Sequence, residues 1–276
     1  DVAANAIDFT LEAVGSDGKK VEVQLGTYIN RTINVNEEVD GQTATGVVYD
    51  PATGKFSFVP STFSTEDGKT TATLKRNSNS IYTVLKVSGK TFTDVPANYW
   101  AKDDIELLAR KLIVNGNSAT TFGPKLKVTR AEFAALVVRA LGLNEAAADN
   151  KFSDVAANKW YAGSVAAAAA AGIVKGDPNG KFRPEDPISR EELAAMVVRA
   201  MKYAGENVEL TDAEINEALK GFKDAGKLKW SKAEVAVAVK AGIVEGYKNN
   251  INPTDNALRA EAVAMLKRFL TNVGFI

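Results

Sequence analysis

The sequence predicts an α+β protein in two separate parts: a small all-β sandwich or barrel over residues 1–90 and a mainly α array from residue 91 onward. Three observations predict it. Apolar residues alternate with period two before residue 90, the spacing becomes helical after it, and one pattern recurs three times in the second part.

In the first part Thr, Val, Gly and Asn dominate. Val21, Val23 and Leu25 alternate with polar residues, as do Val47 with Tyr49 and Phe56 with Phe58, which is the signature of half-buried strands. Asp50-Pro51-Ala52-Thr53-Gly54 separates two of these runs and predicts a hairpin turn. Ile81 to Leu85 reads as a last strand. No concentrated aromatic cluster gives this segment a role, and spacer, ligand module and structural brace for the second part all fit it.

The second part repeats itself. Phe92-Thr-Asp94 aligns with Phe152-Ser-Asp154 and Phe222-Lys-Asp224, and six residues after each Asp stands a tryptophan: Trp100, Trp160 and Trp230, the only three in the chain. Next come Ile-Val-x-Gly motifs ending at Gly116, Gly176 and Gly246, then Phe122-x-Pro124, Phe182-x-Pro184 and Ile251-x-Pro253. Each unit closes on Thr129-Arg130-x-Glu132, Ser189-Arg190-x-Glu192 or Leu258-Arg259-x-Glu261. The interval from Asp to Arg is 36, 36 and 35 residues, which rules out coincidence.

Each unit predicts helix, loop, helix. Ile105, Leu108, Ala109, Leu112 and Ile113 form one apolar stripe, as do Phe133, Leu136, Val137, Ala140 and Leu141. The second helix of a unit starts on a capping box, Thr129 with Glu132 or Ser189 with Glu192, which Leu258 removes from the third. Units are expected at 91–143, 151–204 and 221–276. An insertion with its own box, Thr211 to Glu214, predicts a short extra helix near 211–220. A two-helix unit cannot bury both its stripes alone, so three equivalent units pack most simply around a common axis.

Composition narrows the chemistry. The chain has 34 basic and 34 acidic residues and neither His nor Cys. Bulk attraction to nucleic acid or an anionic membrane is therefore excluded, together with Cys/His zinc sites, His-dependent triads and disulfides. No apolar run reaches the roughly 20 residues of a membrane helix. The start at Asp1 reads as a mature end or a piece of a longer protein.

The threefold pattern resembles the surface-layer homology (SLH) domain of bacterial cell-surface proteins, from residue 92 to about 270. The resemblance implies a pseudo-threefold trimer of repeats with a central three-helix bundle and grooves between neighbours. It also implies non-covalent attachment to secondary cell wall polymer, polysaccharide linked to peptidoglycan, often through a terminal pyruvylated N-acetylmannosamine. The expected setting is extracellular, in the cell wall or S-layer of a Gram-positive bacterium, with this fragment as the C-terminal anchor of a longer protein. No cofactor is expected.

Arg130, Arg190 and Arg259 each fall in the first turn of a helix, the unfavourable end for a cation. Two roles fit: sharing a ligand carboxylate with free backbone amides of the helix N-terminus, or pairing with a nearby Asp to hold repeats together. Trp100, Trp160 and Trp230 fit either core wedges or platforms for a sugar ring. Asp94, Asp154 and Asp224 fit helix caps, Arg orienters or sugar contacts. Gly116, Gly176 and Gly246 serve a backbone turn or the close approach of a sugar. The second unit matches the pattern most fully, so grooves using the loop and Arg of the first two units are expected to bind best and the one relying on Arg259 least.

Enzyme and lattice-forming functions compete with the anchor. A glycosidase needs one asymmetric carboxylate pair, whereas the acids here recur with the repeat, so no enzyme is expected within these residues. Asp177, Asn179 and Gly180 resemble part of a calcium loop, but the closing Glu is missing and a turn is expected. Residues 92–276 hold 25 basic and 23 acidic residues, so affinity for an anionic polymer has to come from a few placed arginines.

Overall fold

A computed structural model describes residues 1–23, 25–147 and 151–276. The chain divides into two compact units. Asp1–Lys90, Glu106–Ile113 and Gly274–Ile276 form the first, and Thr91–Ile105 and Val114–Val273 form the second.

The first unit is built on antiparallel strands. One sheet has the order β1 (Ile7–Phe9), β9 (Ser80–Lys86), β5 (Ala44–Asp50), β6 (Lys55–Phe58), and another has β4 (Ile29–Asn34), β8 (Lys69–Arg76), β7 (Ser61–Glu66). The Asp50–Gly54 turn closes the β5–β6 hairpin, with Asp50 opposite Lys55. Alternation explains the core: Ile33, Ala72, Leu74, Tyr82 and Val84 from both sheets are buried in one cluster. Gly46 lets the sheets approach, since a Cβ there would lie 2.8 Å from Ser61 Cβ and 2.9 Å from Leu74 Cγ. Its amide donates to Ser61 Oγ at 2.9 Å.

One stretch of alternation behaves differently. Val21 falls in a two-stranded ribbon, β2 (Glu12–Val14) with β3 (Lys20–Glu22), every strand residue of which is exposed. A ribbon of two strands has no second layer to cover either face, so the period-two pattern buries nothing there.

In the second unit the helices follow the repeats. They are α1 (Lys102–Arg110), which from Glu106 on belongs to the first unit, and α2 (Arg130–Ala140), α3 (Ala162–Ala170) and α4 (Arg190–Tyr203), and α6 (Lys232–Lys240) and α7 (Arg259–Asn272). The insertion forms α5 (Asp212–Leu219), capped by Thr211 Oγ1, which accepts from the Glu214 amide. Phe133 and Val137 on α2 and Leu141 at its C-cap are fully buried, each burial contributing on the order of 2 kcal/mol. The helices α2, α4 and α7 each touch the other two.

The first helix of each repeat ends in a left-handed residue: Gly172 (φ 72°), Gly242 (φ 69°) and Leu112 (φ 59°). Leucine pays about 1–2 kcal/mol for that conformation, so the repeat frame overrides local preference. Among the described residues no helix is long and apolar enough to cross a membrane.

Candidate functional site

The second helix of each repeat begins at a junction with a neighbouring repeat. Arg130 N donates to Asp186 O, Arg190 N to Asp255 O and Arg259 N to Leu126 O, at 2.8 to 3.0 Å. The amides of Ala131, Glu191 and Ala260 reach Pro184 O, Pro253 O and Pro124 O. Hence the helix-start amides that the sequence suggested for an anion are already taken by backbone carbonyls. Val128, Ile188 and Ala257 close the cycle: Val128 N donates to Ala257 O, Ile188 N to Val128 O and Ala257 N to Ile188 O.

The arginines follow the same rotation. Arg130 Nε donates to Phe182 O at 2.7 Å, Arg190 Nε to Ile251 O at 2.8 Å and Arg259 Nε to Phe122 O at 3.1 Å. Arg130 is 4% exposed, its guanidinium lies 4.8 Å from the centre of the Phe182 ring, and Nη1 meets Glu192 Oε1 at 2.7 Å. Arg190 Nη1 meets Glu261 Oε1 in the same way, while Arg259 Nη2 donates to Asn115 O at 3.0 Å. Each Arg thus serves the loop of the next repeat, and the third serves the first.

The Asp residues do a different job from either pairing with Arg or capping a helix. Asp94 accepts from the amides of Phe122 and Gly123, Asp154 from Phe182 and Arg183, and Asp224 from Ile251 and Asn252, all at 2.7 to 2.8 Å. They hold their own loops. Burial tends to raise Asp94 and Asp154, but the two amides on each carboxylate outweigh it and hold both below the usual aspartate value.

Gly116, Gly176 and Gly246 lie against Phe92, Phe152 and Phe222. A Cβ on any of them would come within 2.9 Å of both a ring carbon and a carbonyl oxygen. Trp100, Trp160 and Trp230 lie on the surface, 60%, 60% and 55% exposed. Asp177 to Gly180 closes as a turn, with Gly180 N donating to Asp177 O and the Asp177 carboxylate on Arg183 Nε.

These placements bring several candidates into one cavity of about 420 Å³, lined by Tyr99, Trp100, Arg190, Gly246, Tyr247 and Arg268 among others. All three repeats contribute to it. By contrast, the hollow beside Arg259, bounded by Val114, Phe122, Leu136 and Val263, measures about 10 Å³. Arg268 donates to Ile243 O and Glu245 Oε2 from the cavity wall.

Arg268 escaped sequence reasoning, although the signal was present. Arg139, Arg199 and Arg268 recur nine residues after the first-turn Arg of each repeat. Arg199 reaches Glu234 at 3.1 Å. Tyr99 and Tyr247 do not recur, so the repeat pattern gives no signal for them.

The family model for the S-layer homology domain matches this chain three times, at residues 91–134, 151–194 and 221–263. Residues 91–263 belong to the S-layer homology family. SLH domains anchor proteins at the cell surface. An amylopullulanase of Thermoanaerobacterium thermosulfurigenes is 34% identical over 278 residues, 99% of this chain and 14% of that protein. Exoglucanase XynX of Acetivibrio thermocellus is 40% identical over 66% of this chain and 16% of its own. The S-layer protein sap of Bacillus anthracis is 34% identical over 67% and 22% respectively. The chain therefore spans less than a quarter of the length of these relatives.

Proposed function

We propose that the SLH repeats attach a longer protein to a Gram-positive cell wall by binding secondary cell wall polymer, with the pyruvylated N-acetylmannosamine at its terminus seated in the Arg190 groove. The repeats would then form a pseudo-threefold trimer around a central bundle of α2, α4 and α7. The observation that carries the reading is the cavity of about 420 Å³, where Arg190 and Arg268 offer cations and Trp100 an exposed ring.

A pyruvyl carboxylate suits a guanidinium fork, and the apolar face of a pyranose suits an indole. Arg190 and Arg268 already have carboxylate partners in Glu261 and Glu245, so the ligand competes for donors rather than meeting bare charge. Gly246 keeps the loop close to Phe222 and leaves that wall without a side chain. Arg130, Arg259, Trp160 and Trp230, with Gly116 and Gly176, form the corresponding parts of the other two grooves. The small hollow at Arg259 supports weak binding there.

Isothermal titration of Arg130→Ala, Arg190→Ala and Arg259→Ala with the pyruvylated glycan tests this. Arg190→Ala should lose the most affinity, and a greater loss from Arg259→Ala would overturn the ranking. Binding that is indifferent to the pyruvyl group would favour the second reading, a protein-interaction or lattice-forming module. Two of the relatives carry enzyme names, which supports a catalytic module elsewhere in the longer protein and an anchoring role for this part.

A further inference from the structure

We propose that a lysine-lined cleft between α5 and the start of the third repeat binds carboxylate or phosphate groups carried along a wall polysaccharide, apart from the Arg190 groove. The proposal rests on the reading of the chain as a wall-polymer binder and adds a second, electrostatic contact to it.

The cleft has a volume of about 430 Å³, and Asn216, Lys220, Phe222, Lys229 and Lys232 are among the residues that line it. Lys232 Nζ donates to Asn216 Oδ1 at 3.0 Å. Lys220 pairs with Glu217, but both side chains are more than two-thirds exposed, so the pair exchanges readily for an anion. Residues 220–232 hold five lysines and one acid, Asp224. That carboxylate is buried and already accepts two amides.

The repeats themselves supply the control. At the positions of the lining Lys220, Lys229 and Lys232 the first repeat has Lys90, Tyr99 and Lys102 and the second has Asn150, Lys159 and Ala162, so neither places three lysines there. The SLH frame does not require this charge. It does not require the space either. Val95 and Val155 are buried in the first two repeats, where the third has Ala225 on the cleft wall. A smaller side chain and a full set of three lining lysines occur together at the repeat entry that adjoins the inserted helix.

A thin polyanion fits this place better than a bilayer. Lys220, Lys229 and Lys232 line a concavity, and α5 carries Asp212, Glu214 and Glu217 beside it, which repel a flat anionic surface but not a chain lying in the cleft. Trp230, exposed next to Lys229, offers a sugar ring an apolar face.

The test uses the whole chain with two probes lacking pyruvyl groups: a galacturonate hexamer for carboxylate and a glycerol phosphate oligomer for phosphate. Binding is measured at low and at raised salt. Lys229→Ala/Lys232→Ala should weaken the better probe about tenfold and flatten its salt dependence. Ala225→Val, which restores the side chain of the other repeats, should weaken it as well with an unchanged circular dichroism spectrum. Arg190→Ala should leave both probes unaffected.

Which probe binds better identifies the anion. No binding of either, indifference to the lysine and Ala225 variants, or equal loss in Arg190→Ala would overturn the proposal. Capture of phosphatidylglycerol vesicles through the same lysines, in place of the oligomers, would overturn it too. Failure of the unsubstituted chain to bind the pyruvylated glycan, with oligomer binding intact, would count against the groove reading instead.

Discussion

Glu192 joins two repeats through its two oxygens: Oε2 accepts the Ser189 amide of its own helix start, while Oε1 takes Arg130 Nη1 of the preceding repeat at 2.7 Å. The capping glutamate is therefore also the ion partner across the junction. Glu261 repeats the arrangement, with the Leu258 amide on one oxygen and Arg190 on the other. Although Leu258 removes the capping hydroxyl, the glutamate half of the box persists.

Breaking this pair should unfold the second unit more easily. Arg130 is almost fully buried, so Arg130→Ala leaves Glu192 with Arg183 as its remaining cation and Phe182 O without its donor. A loss of about 3 kcal/mol is expected in urea unfolding, with partial recovery in Arg130→Lys. Thr129→Ala and Ser189→Ala should each cost about 1 kcal/mol by loss of the cap.

Acid should weaken the same junctions. Burial tends to raise Glu192, but the Ser189 amide and the guanidinia of Arg130 and Arg183 hold it below the ordinary 4.5. Asp94 and Asp154 also lie below their ordinary 3.8, and Glu214, beside Lys240 and Thr211, is lowered to about 2. Carboxylates depressed in the fold contribute stability above their unfolded values and lose it as pH falls through the folded ones. The unfolding midpoint should thus decline below about pH 4.5, and Glu192→Gln should shrink that decline.

Lys111 should give a second rise of stability with pH, on the alkaline side. The side chain is buried in the first unit, where its Nζ donates to Ala44 O at 3.4 Å, and burial pushes it down to about 8. The folded state holds that proton less tightly than the unfolded chain, so stability should climb from pH 8 to about 10.5. Lys111→Met should remove the climb and stabilise the protein at pH 7 by about 2 kcal/mol, read by urea unfolding at both pH values.

The exposed tryptophans allow an optical test of the groove. In Trp160→Phe/Trp230→Phe, Trp100 is the only tryptophan, and its fluorescence should change when the pyruvylated glycan binds. Trp100→Phe should abolish that change while altering stability by no more than about 0.5 kcal/mol, as expected at surface positions. An equal response from Trp160 or Trp230 would mean that the glycan uses another groove.

Much of the second unit was legible because it is written three times. Recurrence located the paired helices, the boxes at Thr129 and Ser189, and the residues that meet at the junctions, while the box at Thr211 was legible from its local pattern alone. What each Arg touches was not legible, since Arg130 and Phe182 lie 52 positions apart and no local pattern encodes that distance. The pairing of β5 with β9 is hidden for the same reason. Alternation marks a strand but does not name its partner, and in the β2–β3 ribbon it did not even indicate burial. The cleft at Ala225 appears only when the unequal residues of equivalent positions are compared in space.

The rotation of hydrogen bonds from first repeat to second, second to third and third back to first changes how damage is counted. Removing the end member of an open row breaks one junction. Removing any member of a closed cycle breaks two of three and leaves a single pair. One clip or truncation within any repeat would therefore undo most of the anchor at once.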